Sequence, residues 1–148
     1  MGKIEAINIT NISEKNTFYV SQAFLEKGKG IVNDRYYDNF KKKKEQVTLI
    51  NIEKINNFNK LINKNIDAKD FRRNIIVSGI NLNELINKKI KINNVTLKIH
   101  EICQPCKYLQ DKLKIPGLVK MLINKSGVRA EILSSGSLAV GDAIKKVK

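Results

Sequence analysis

The sequence is 148 residues long and carries 28 Lys and Arg against 14 Asp and Glu, a formal net charge of +14 at pH 7. That length suits one domain around a single core and excludes two ordinary domains. No run approaches the roughly 20 apolar residues of a membrane span, and the opening MGKIEAINIT has neither the apolar stretch nor the cleavage pattern of an export signal, so a soluble, cytoplasmic protein without a membrane partner is expected.

In chain order, residues 3–10 (KIEAINIT) alternate in part and residues 17–24 (TFYVSQAF) are rich in aromatic and β-branched side chains, so each is expected to form a strand. The run KKKK at 41–44 reads as a solvated loop. Residues 46–50 (QVTLI) and 74–79 (NIIVSG) are short apolar runs of the interior-strand kind. Between them Ile52, Ile55, Phe58 and Ile62 recur at helical spacing and predict an amphipathic helix over 52–62, and NLNEL at 81–85 fits a single turn. Residues 88–102 read as a hairpin, KKIKI joined to VTLKIHEI through Asn93-Asn94. Pro105 is placed for the first turn of a helix in which Cys106, Leu109 and Leu113 share one face; Pro116-Gly117 stops it before a second short helix in LVKML. Finally VRAEIL alternates, SSG turns, and SLAV and GD lead to a last strand in AIKKV. Without internal repeats or linker-like stretches, one domain over residues 1–148 is expected, a mainly β barrel with a few short helices.

The charge has a background. Stretches such as INKKIKINN and NNFNKLINKN have the Lys, Asn and Ile bias that an AT-rich genome imposes, which makes lysine a surface filler. Arginine, the residue that grips phosphates and bases in a bidentate fork, occurs only at positions 35, 72, 73 and 129. Nucleic acid is therefore not the expected partner, and a basic RNA-binding barrel stands as an alternative.

The stretch HEICQPCKYL at 100–109 holds both cysteines and the only histidine. Two cysteines in a chain of this kind are not a disulfide framework. A structural zinc site wants four ligands, and strand alternation turns His100 outward with Thr96 and Lys98 while Val95, Leu97 and Ile99 face in. Cys-x-Pro-Cys at a helix start resembles the spacing of dithiol redox proteins, yet here it follows a hairpin instead of an early strand of a βαβ unit, and a dithiol role would need Cys103 exposed. Cys106 alone is the third reading. A helix start and nearby cations can draw a thiol from about 8.5 toward 7 or below, giving a thiolate that ligates a soft metal or carries sulfur. A buried, inert Cys106 on the helix's apolar face fits these residues equally.

Five segments in order, GKGIVNDRY (28–36), VTLINIE (47–53), FRRNIIVSGINLNEL (71–85), CQPC (103–106) and GVRAEILSSGSLAVGD (127–142), resemble the MOSC domain, the C-terminal domain of molybdenum cofactor sulfurase, in a stand-alone bacterial form. The resemblance implies a β-barrel that binds the molybdenum cofactor, a phosphate-bearing pterin dithiolene, or transfers sulfur connected with it. Cys106 matches the cysteine that ligates molybdenum in related reductases. Arg72 and Asn74 match an Arg-x-Asn motif, and Gly30, Asp34 and Arg35 match a Gly-Asp-Arg-like motif, with Asn33 standing where many members have Gly. Gly136, Gly141 and Asp142 match a C-terminal turn pattern. The same resemblance implies reduction of small N-hydroxylated substrates, with Arg35 and Arg72 gripping the anionic pterin. The sequence has no cysteine set for an iron–sulfur cluster, so a partner protein would supply electrons or sulfur.

Overall fold

A computed structural model describes residues 2–11 and 17–147. Its strands and α-helices run β1 (Gly2–Ile9), β2 (Phe18–Val20), β3 (Gln22–Glu26), β4 (Gly30–Ile31), β5 (Val47–Asn51), α1 (Ile52–Ile62), β6 (Ile75–Ser78), β7 (Lys89–Ile92), β8 (Val95–Ile102), α2 (Lys107–Leu113), α3 (Leu118–Met121), β9 (Val128–Ser134), β10 (Gly136–Ala139) and β11 (Ala143–Lys146). Seven strands close a barrel in the order β1, β6, β5, β9, β8, β7, β11, with β11 pairing back onto β1. Outside the barrel β2 pairs with the far end of β1, and β10, β3 and β4 form a separate small sheet. The fold is mainly β, as the alternation predicts. No helix among the described residues is long and apolar enough to cross a membrane.

Period-two patterning builds the wall. Ile90 and Ile92 of β7, Val95, Leu97 and Ile99 of β8, and Val128, Ala130 and Ile132 of β9 all point into one core. Each such Val, Leu or Ile contributes roughly 1.5–3 kcal/mol on burial. The partial alternation of residues 3–10 has a cause: the register against β6 shifts between Ile4 and Ala6, so Ile4 and Ile7 are both buried although three apart.

Where β5 and β6 lie side by side they are parallel, and α1 is the crossover between them. Both strands are buried on two faces. Leu49 and Ile75 join the barrel core, while Ile50 and Ile76 join a second cluster with Ile55 and Phe58 of α1, Phe71, Leu109 of α2, and Ile115, Leu118 and Leu122. That explains why these runs read as unbroken apolar stretches. Helix α1 spans the predicted residues, and Asn63 ends it in the left-handed region (φ 55°) with its N–H on the carbonyls of Asn59 and Lys60.

Three expectations are corrected. Residues 17–24 do not form one strand: the chain breaks at Ser21, and β2 and β3 belong to different sheets. Strand β9 runs through Ser134, so SSG supplies only a one-residue joint before β10 crosses to the small sheet beside β3. Pro105 lies outside α2, because Cys106 is the residue that caps it. The predicted hairpin is present, Ile92 facing Val95 across a two-residue turn in which Asn93 takes φ 54°.

Candidate functional site

All four arginines of the chain line one cleft of about 470 Å³. The loop after β4, the Phe71–Asn74 turn, β5, β9 and the start of the CQPC loop form its walls, with Lys41, Tyr36 and Cys103 among the lining residues.

Arg35 is held by its neighbour. Asp34 is buried, and its Oδ1 accepts from the N–H of Thr10 (3.0 Å) while Oδ2 accepts from the N–H of Tyr36 (3.3 Å). The N–H of Arg35 itself donates to the carbonyl of Thr10 (2.6 Å). Burial raises the Asp34 carboxyl above its ordinary value, against the pull of these donors and of Arg35. Asn33 sits at φ 76°, a left-handed conformation that Asn tolerates better than most residues, so the turn forms at small cost without a glycine. The Arg35 guanidinium lies 4.6 Å from the centre of the Tyr36 ring.

Arg72 caps the 3-10 turn Ala68–Phe71 at φ 62°, with its guanidinium 5.6 Å from the centre of the Tyr108 ring. Burial, and then the like charge of Arg35, lower its pKa; Tyr108, Tyr36 and Cys106 act in the opposite sense. The Arg72 guanidinium thus feels both the Arg35 guanidinium and the Cys106 thiol. Like charges in this half-buried setting would be relieved by an anion beside them, which a guanidinium fork is shaped to take.

Asn74 is buried behind the cleft. Its Oδ1 accepts from the N–H (3.1 Å) and Oγ1 (3.2 Å) of Thr48, and its Nδ2 donates to the carbonyl of Asn8 (3.2 Å) and reaches Asp34 Oδ1 at 3.5 Å. The predicted binding residues thus divide. Arg35 and Arg72 present charge to the cleft, whereas Asp34 and Asn74 form one network beneath it.

The two cysteines also divide. Cys103 is 4 % exposed and lines the cleft. Cys106 is exposed at the start of α2, where its carbonyl accepts from the N–H groups of Leu109 (3.1 Å) and Gln110 (3.3 Å). It does not share the buried face of Leu109. His100 is engaged elsewhere, its ring Nε2 lying 2.9 Å from Glu131 Oε1, beside a register shift between Ile99 and Glu101. Among the described residues, no group of three or more His, Cys, Asp or Glu side chains is arranged so that it could hold a metal ion.

Arg73 and Arg129 complete the cleft. Arg129 meets Glu45 (3.3 Å) and Glu101 (3.9 Å), and Lys44 meets Glu101 at 3.0 Å, so one lysine of KKKK is tied down. Arg73 is bonded to the carbonyls around Cys103. Arginine scarcity was the signal that pointed to this cluster; nothing in the spacing set Arg73 apart from Arg72.

The profile of the MOSC domain matches residues 36–145. The chain belongs to the MOSC domain family. Among solved structures, this MOSC protein is similar to the YuaD protein from Bacillus subtilis (19 % identity, TM-score 0.82, 99 % of this chain and 96 % of that one). It is also similar to YiiM from Geobacillus stearothermophilus (16 %, TM-score 0.81, 100 % and 76 %) and YiiM from Escherichia coli (12 %, TM-score 0.76, 99 % and 70 %). At these identities the likeness speaks for the fold alone. No curated protein gives a significant sequence match.

Proposed function

We propose that this MOSC protein binds the molybdenum cofactor in the arginine cleft, with Cys106 as the thiol that ligates the metal or carries a transferable sulfur. The observation behind this reading is that every arginine of a lysine-filled chain lines one cleft whose Arg72 is an electrostatic neighbour of an exposed thiol. The donor set fits the group. Guanidinium forks at Arg35 and Arg72 suit an anionic, phosphate-bearing pterin, the Tyr36 and Tyr108 rings flank them, and a thiol is a soft ligand of the kind a thiophilic metal takes.

Bound there, the cofactor would supply two-electron reduction of small N-hydroxylated compounds, with electrons from a donor protein. The chain's own contribution is to bind and orient: Asp34 and Asn74 brace the segments that carry Arg35 and Arg72, and Cys106 stands exposed where α2 begins. Exposure of Cys106 also supports the carrier form, a persulfide received from a sulfur-donor protein. Burial of Cys103 runs against a dithiol redox role, which needs that thiol accessible. Free thiols at both positions accord with a cytoplasmic setting.

Protein purified from a host that makes the cofactor is expected to carry near-stoichiometric molybdenum or an added sulfur on Cys106, and Cys106→Ser to lose it. Wild-type protein with no molybdenum, no persulfide and no affinity for the pterin overturns both forms. Molybdenum-loaded protein that turns over no N-hydroxylated compound with a competent electron donor retains only the binding or carrier role.

A further inference from the structure

The tripeptide Arg72-Arg73-Asn74 sends three adjacent side chains to three tasks. Arg72, in its left-handed conformation, faces Tyr108 and Arg35; Asn74 enters the buried network with Thr48 and Asn8. Arg73 reaches the cysteine loop. Its Nε donates to the carbonyl of Ser126 (2.7 Å), and its Nη2 lies within bonding distance of the carbonyls of Cys103 (3.4 Å) and Gln104 (3.3 Å) and of Ser126 Oγ (3.5 Å).

Other bonds close the same unit. Ser126 Oγ donates to the Cys103 carbonyl (2.6 Å), and the Cys103 N–H donates to the carbonyl of Gly127 (2.8 Å). Gly127 stands at φ 101°, and a Cβ there would collide with the Leu49 carbonyl, so only glycine lets the Ser126 segment lie this close to β5. The Gln104 side chain is paired with Asn124, donating to Oδ1 (2.6 Å) and accepting from the N–H (2.8 Å). The first half of CQPC is thereby fixed, while Cys106 stands exposed at the start of α2.

We propose that Arg73 is a positioning residue whose guanidinium fixes the Cys103–Gln104 segment, keeping Cys103 buried and leaving Cys106 as the one exposed thiol, at the start of α2. A guanidinium is suited to this because its planar fork serves several carbonyls at once, whereas a lysine ammonium is a single, strongly hydrated point charge. The functional value of this arrangement rests on the reading of Cys106 as the working thiol, but the arrangement itself is testable without any cofactor.

The test is site-resolved alkylation of the full chain with iodoacetamide, read by mass spectrometry from neutral to mildly alkaline pH, beside a urea melt of each variant. In the wild type Cys106 reacts and Cys103 is protected. Arg73→Gln is expected to raise the Cys103 rate by about 10- to 100-fold, as loss of charge-assisted bonds permits local opening, at every pH and without a matching fall in urea midpoint. Arg73→Lys restores part of the protection and serves as the comparison if Arg73→Gln does not fold. Arg129→Gln removes an equal charge from the same cleft and is expected to leave the Cys103-to-Cys106 ratio unchanged. The proposal is overturned if Cys103 stays as protected in folded Arg73→Gln as in the wild type, or if Arg129→Gln has the same effect. Molybdenum and persulfide content of the wild type judges the cofactor reading separately, since a negative result there leaves the alkylation ratio as a test of Arg73.

Discussion

Two clefts of about 470 Å³ each open on this protein, and their walls differ in kind. One lies between α1, the turn after β6 and α3, walled by Phe58, Leu61, Ile80, Met121 and Leu122. Two of its polar groups serve the fold: Asn51 Nδ2 donates to the Ile80 carbonyl (2.5 Å), and Glu53 Oε2 accepts from the Gly79 N–H (2.8 Å). The other holds every arginine of the chain. Equal volumes thus arise in two ways. Short helices laid over a barrel leave a gap with a mainly apolar wall, while converging loops leave a cleft in which four arginines and Lys41 stand among Tyr36, Phe40 and Thr48. Donor chemistry, and not volume, is the ground on which cofactor binding is proposed for the second.

The sharpest break in this comparison comes from the apolar side. Phe58 is buried and meets Phe71 edge to face at 5.9 Å. Phe58→Ala is expected to lower stability in urea by about 3–5 kcal/mol, with anion affinity of the folded fraction unchanged. Next, Arg35→Ala and Arg72→Ala should each weaken binding of inorganic phosphate, measured calorimetrically, by about 10- to 100-fold, with charge-assisted bonds lost, and leave the urea midpoint almost unmoved. Unchanged phosphate affinity in both variants would remove the distinction between the clefts.

Asp34 sharpens the comparison through pH. Its folded-state pKa is raised above the ordinary 3.8, so the folded protein holds this proton more tightly than the unfolded chain. The stabilisation is fully present below 3.8 and is lost as pH rises through the higher folded value. Asp34→Asn is therefore expected to remove a downward component of the stability curve above pH 3.8, seen in urea midpoints measured between there and neutrality. The smallest effect belongs to the ion pair at the cleft's edge. Glu45→Gln, which leaves Arg129 with Glu101, should cost about 0.2–1 kcal/mol; a larger loss would make the arginine cluster a structural device.

Much of the barrel was legible because its signals are local. Alternation in Val95–Ile99 and Val128–Ile132 depends only on a pleat of period two, and the apolar positions of α1 only on helical spacing. What alternation states is which face a residue takes, never which strand lies beside it. The parallel pairing of β5 with β6 and the division of residues 17–24 between two sheets were for that reason hidden. At the site, scarce arginine in a lysine-rich chain marked four residues, and the family motifs picked Arg35 and Arg72 among them. Arg73 gave no such sign, since its value lies in carbonyls 30 and 53 positions away in sequence.

By itself, then, the sequence determined the strand faces, the main helix, the family pattern and the short set of arginines and cysteines from which a site had to be drawn. Only the tertiary structure decided that all four arginines share one cleft, that Asp34 and Asn74 brace it from behind, and that Cys103 is buried while Cys106 is exposed. The physical reason is that side-chain type and spacing act over one turn or one pleat, whereas a cleft is made where distant segments converge, and burial and hydrogen bonding there assign each polar group its role.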